Sequence, residues 1–151
     1  MADDKREDIL VLIKTLLTEV AGDDVFVYRN MIALQENELP AYVLLDGLET
    51  KDQGSSDRRG PQVMVLQPQI FYLPVPTTNP KNIGVGEDLS AKRVALIKKI
   101  MGDGRLRDKI GANGYVEYRG METDMQAAAD EAIGRFRLDF AFAYLFNFNK
   151  L

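Results

Sequence analysis

The chain has 151 residues, 46% of them hydrophobic and 28% charged, with a formal net charge of −4. That is the balance of one globular domain, spanning 1–151, large enough to build a core without disulfides or metals. It contains no cysteine and no histidine, which excludes thiolate zinc sites, cysteine nucleophiles, Ser-His-Asp triads and HExxH zinc sites and leaves carboxylate, lysine or tyrosine chemistry for an enzyme. The acidic balance also argues against tight nucleic-acid binding, which draws its affinity from neutralised phosphates.

In chain order, Asp3 to Ala21 predicts an amphipathic helix, with Ile9, Leu12, Ile13, Leu16, Leu17 and Val20 at spacings of three and four. Asp3 and Asp4 suit its N-cap and first turn, and Gly22 its stop. The leading MADDKRED lacks the apolar core of a signal peptide. No apolar run reaches the ~18 residues of a membrane span, so a cytosolic origin is expected.

Val25 to Asn30 predicts a short strand, and MIALQENE a loop. Ala41 to about Glu49, opened by Pro40, predicts a second strand, whose nearly continuous apolar run suggests a buried, central position. Thr50 to Gly60 (TKDQGSSDRRG) is loop-like, polar and without an apolar anchor. Val63 to Val75 predicts a third strand, making a long hairpin with the second; Pro68 denies it one ladder bond and predicts a bulge or an edge position.

Pro76 to Asp88 predicts another loop. Ser90 to Met101 predicts a second helix, with Val94, Ile97 and Met101 on one face and Lys92, Arg93, Lys98 and Lys99 exposed. Asp103 to Ile110 suits a further helical turn or two, and Asn113-Gly114 a turn. Tyr115 to Arg119 predicts a short strand, Met121 to Ala129 a link, and the chain from about Ala132 a long final strand. In that strand Phe136, Leu138, Phe140, Phe142, Tyr144 and Phe146 alternate with Arg135, Arg137, Asp139, Ala141, Ala143 and Leu145, the period of a half-buried strand. The fold class expected is α+β: an antiparallel or mixed sheet with two main helices packed on one face.

Few residues suggest chemistry. Gly84-Val85-Gly86 begins like a dinucleotide loop, but Leu89 stands where the third glycine belongs; a loop before a helix explains it better. Asp46, Glu49 and Asp52 could be imagined as an oxygen-ligand metal cluster, yet they straddle a strand end and a loop, as solvated carboxylates do. Lys92, Arg93, Lys98 and Lys99 have no interleaved aromatics and read as a solvated face. Lys51, Asp52, Asp57, Arg58 and Arg59 form a mixed-sign cluster on a long loop, suited either to solubility or to ionic contact with a neighbouring subunit. The aromatic stripe is explained by core packing; alternatively its far end, through Tyr144, Phe146 and Phe148, docks on a neighbour.

In their order, these segments resemble the tail terminator (tail completion, minor tail) proteins of long-tailed bacteriophages. The resemblance rests on the helix before VFVYRN, then LPAYVLLDGLE, a polar loop and VMVLQPQIFYLPV. It continues with LSAKRVALIKKIM, GRLRDKIGANGYVEYRG and GRFRLDFAFAYLF. It covers most of the chain and contains no catalytic signature. It implies a structural virion protein of the tail-neck region, made in the host cytoplasm and without cofactor, metal or catalytic residues. Such a subunit assembles as a ring, typically hexameric, on the head-proximal end of the tail tube, ends tube polymerisation and meets the neck connector, while DNA passes through the lumen without specific binding. The alternatives are a neck or head-completion (stopper) protein, and a small carboxylate-dependent metal-binding enzyme built on Asp46, Glu49 or Asp52.

Overall fold

The computed structural model of the chain describes residues 4–31, 33–52, 61–75, 84–128 and 131–147. The elements run α1 (Lys5–Ala21), β1 (Phe26–Arg29), a single 3-10 turn (Glu36–Glu38), β2 (Ala41–Lys51) and β3 (Pro61–Leu73). They continue with α2 (Gly84–Gly102), α3 (Gly104–Ile110), β4 (Tyr115–Ala128) and β5 (Glu131–Asn147). The strands form one five-stranded mixed sheet in the order β1-β2-β3-β5-β4. Only β1 and β2 run parallel; the other pairs are antiparallel. The fold is α+β, with β2 and β3 paired as the expected hairpin.

Helix α1 starts where Asp4 caps it, its carboxylate accepting the Glu7 N–H at 3.0 Å, and stops where the Gly22 N–H returns to the Thr18 carbonyl. The short side chain and the left-handed glycine are the usual devices for helix ends. Its buried stripe, Ile9, Leu10, Ile13, Leu16 and Leu17, packs on the sheet face formed by Tyr42 and Leu44, Leu66, Ile70 and Tyr72, and Phe136, Leu138, Phe140, Phe142 and Tyr144. The alternation of the last strand therefore serves the core. Its rings pack with ring centroids 5.5 Å apart for Tyr72 and Phe136, 5.5 Å for Tyr118 and Phe140, and 6.1 Å for Phe140 and Phe142, within the range of favourable aromatic pairs.

Two expectations change, and a third resolves into one of its alternatives. Helix α2 begins at Gly84, so Gly84-Val85-Gly86 forms its first turn and not a loop. Its buried residues are Leu89, Leu96 and Ile100, with Ile97 and Met101 packed beside them, whereas Val94 is 42% exposed. Strand β4 continues through the segment read as a link, because Met121 to Ala128 pair with Leu138 to Glu131 of β5. Lone propensity could not show this: the polar stretch is held by a cross-strand ladder, not by its own apolar face. Of the two alternatives expected at Pro68, the structure has the bulge and not the edge position: Pro68 lies in an interior strand, between β2 and β5. The bulge sits opposite, in β2: Leu45 faces Gln69 and Leu48 faces Gln67, so Asp46 and Gly47 share the one position of Pro68. A second irregularity falls at the same level in β4, where Arg119 is the extra residue between Tyr118 and Gly120.

Candidate interaction surface

The helices all serve one face of the sheet. α1 contacts β1 and β2, while α2 and α3 contact β5 and β4. Strand alternation sends a second set of apolar side chains the other way. On β2 these are Val43 and Leu45, on β3 Val63, Val65 and Phe71, and on β5 Ala141, Ala143 and Leu145. Val65, Ala141 and Ala143 form a small cluster with Val63, and no helical residue joins it. At the margins Leu48 is 60%, Phe26 49% and Tyr115 40% exposed, and Phe26 stacks on Tyr28 along the β1 edge with centroids 6.1 Å apart.

The centre of this face, Val43, Val65, Ala141 and Ala143, is buried with no described helix over it. Two hollows adjoin on it. One, about 120 Å³, is lined by Met31, Val43, Leu45, Phe71, Leu73 and Arg135; the other, about 250 Å³, lies between Phe71, Arg135, Arg137 and Glu122. The charged residues there are matched in sign: Arg137 meets Glu122 at 3.0 Å and Asp139 at 3.1 Å. Residue reasoning missed this face. Its signal was present in the two-sided apolar run of β2, which suggested a strand covered on both sides.

The helix side carries an ion network at the start of α1. Arg29, ending β1, donates to both oxygens of Glu7 at 2.7 and 2.8 Å and to both oxygens of Asp46 at 2.7 and 2.9 Å. Arg6 lies 3.5 Å from Asp46 and 3.4 Å from Glu49. The Arg29 guanidinium holds the Glu7 and Asp46 carboxyls below their ordinary range, and they raise its own pKa in turn. Asp46 and Glu49 are thus joined to arginines, and they pin α1 to β1 and β2. Among the described residues no group of three acidic side chains is placed to hold a metal, and no helix is long and apolar enough to cross a membrane.

The expected interface residues separate. Lys51 ends β2 opposite Met64, and the Asp52 N–H donates to the Val63 carbonyl at 2.9 Å, so both belong to the hairpin ladder and are half-buried. Asp57, Arg58, Arg59 and Phe148 lie outside the described residues. Tyr144 is wholly buried, and Phe146 packs half-buried on the same core. Tyr144 is therefore a core residue. Burial, and then the Glu49 carboxylate beside it, raise its phenol well above the usual range. Lys92 and Arg93 are not a plain solvated pair either: Lys92 sits 5.9 Å above the Tyr72 ring and Arg93 5.8 Å above that of Tyr118, distances at which a cation is attracted by the ring face.

No family model matches the chain, and no curated protein matches it significantly.

Proposed function

We propose that this chain is the tail terminator subunit of a long-tailed bacteriophage, a non-catalytic virion protein that assembles as a ring, hexameric in this reading, on the head-proximal end of the tail tube. The ring ends tube growth, presents a surface to the neck, and lets DNA through its lumen. The order of segments set out above supports the reading, and one structural observation carries it: a five-stranded sheet with the described helices on one side and, on the other, an apolar face that none of them covers. The centre of that face, Val43, Val65, Ala141 and Ala143, is already buried in the monomer, so a second protein, tube subunit or neighbour, would bury chiefly its exposed margin, Phe26, Leu48 and Tyr115.

The test is tube polymerisation. Purified chain added to tail-tube protein should halt growth and remain at one end of each tube, and a phage lacking it should make tails of abnormal length that do not join heads. Tubes that grow unchanged, with normal head-joined tails in the deletion, would refute the reading. Binding to the head-side connector but not to tube protein would favour the stopper alternative.

A further inference from the structure

The two edges of the molecule carry opposite charge. The β1 edge is built from α1, the turn after it, β1 and the connection to β2. From Asp4 to Pro40 it holds eight acidic residues against four basic ones. The opposite, β4 edge is covered by α2 and α3. From Gly84 to Ile110 these hold seven basic residues against four acidic ones. The sheet order puts β1 and β4 at its two ends, with α1 over the first and α2 and α3 over the second.

Part of this polarity is used inside the subunit. Across the seam between the helices, Glu19 pairs with Arg105 at 2.7 Å and Lys99 at 3.5 Å, and Asp8 with Lys109 at 3.7 Å. What remains leans to one sign at each edge, with Lys5 and Lys14 on α1 and Asp108 on α3 as exceptions, unpaired among the described residues. Asp23 and Asp24, exposed in the turn after α1, and Glu38 form no ion pair among the described residues. On the other edge the same holds for Lys98, exposed on α2, and for Arg107, whose guanidinium folds back on the end of α2 to donate to the Met101 carbonyl at 2.8 Å. Each edge also exposes one branched apolar residue, Val11 at 51% on α1 and Val94 at 42% on α2, one turn from Lys98.

We infer that the partner of each edge is a second copy of this chain: the acidic α1 edge of one subunit docks on the basic α2–α3 edge of the next. The inference rests on the ring reading above and assigns its subunit contact. Two different, complementary surfaces on opposite edges generate a head-to-tail series, which closes when the rotation per subunit divides a full circle. A self-complementary two-fold contact would instead place like charges together at either edge. The charges set register and association rate, while Val11 and Val94 supply a small dry centre. This leaves the apolar sheet face available to the tube or neck.

Two double variants test the contact: D23K/D24K, which cancels the acidic excess of the α1 edge and puts lysines where its unpaired aspartates were, and K98E/R107E, which turns the basic edge slightly acidic. Each should self-associate at least about tenfold more weakly than the parent chain in light scattering, with helix content kept. Mixed in equal amounts they should assemble together, because the introduced lysines then meet the introduced glutamates and the unchanged edges still meet with opposite sign, and salt should weaken that assembly. Parent-like assembly of either variant alone, or failure of two folded variants to combine, would overturn the edge pairing and leave the terminator reading standing. A parent chain that stays monomeric at every concentration and in the presence of tube protein would overturn both.

Discussion

Gly47 lies against Pro68 where β2 and β3 lose register. Its φ is +72°, and a Cβ there would run into the Gln67 carbonyl, so only glycine fits the approach. Pro68 has no N–H for the ladder, and β2 answers with one extra residue. That residue reverses the parity of all that follows in β2. Leu48 moves to the helix-free face, and Glu49 to the helix side, within reach of Arg6. Asn30, itself left-handed at φ 61°, accepts the Asp46 N–H at 3.1 Å and seats the bulge against the end of β1.

Gly47→Ala should therefore destabilise the fold by about 2–4 kcal/mol, combining a strained φ with displaced backbone. Urea denaturation of the variant checks this; a loss below about 0.5 kcal/mol would show that the bulge relaxes without cost.

Arg29→Met should cost about 1–3 kcal/mol at neutral pH by leaving Asp46 and Glu7 without their shared donor. Most of that loss belongs to Asp46, because Glu7 is 43% exposed and screened by solvent. The same pair makes stability depend on pH. Both carboxyls titrate below their ordinary values of 4.5 for Glu7 and 3.8 for Asp46, so the unfolded chain takes up protons first as the pH falls. Their contribution is complete above about pH 5 and drains away as acid reaches the lowered folded values. Stability measured from neutral pH to about pH 3 should fall less steeply in the Arg29 variant than in the parent chain.

Phe140→Ala should cost about 3–5 kcal/mol, since the ring is wholly buried between Tyr118 and Phe142. A drop in melting temperature with retained far-ultraviolet circular dichroism would mark loosened packing, not a lost strand.

Leu48→Glu should leave monomer stability within about 0.5 kcal/mol, because the side chain is 60% exposed. On the function proposed above it should nonetheless weaken capture of tail-tube protein, read by co-sedimentation with tubes. Unchanged capture would remove this margin of the sheet from the contact.

The long periodic segments were legible in the residues alone. The spacing of Ile9, Ile13, Leu16 and Leu17 specifies α1, and the alternation from Phe136 to Tyr144 specifies which side of β5 enters the core. Both follow from local geometry, 3.6 residues per helical turn and two per strand pleat. The absence of cysteine and histidine and the acidic net charge likewise needed no coordinates. Strand β4 beyond Arg119, by contrast, exists only because β5 lies beside it. Tyr144 lies in the core because the helices reach its end of the sheet, and Arg29 meets Glu7 and Asp46 only once α1 lies across β1 and β2. Tertiary structure also decided that Val43, Val65 and Ala143 face away from every described helix, and that acidic and basic helices stand at opposite edges. Local patterns record which residues share a face; which faces are covered, and by what, depends on contacts between segments far apart in the chain.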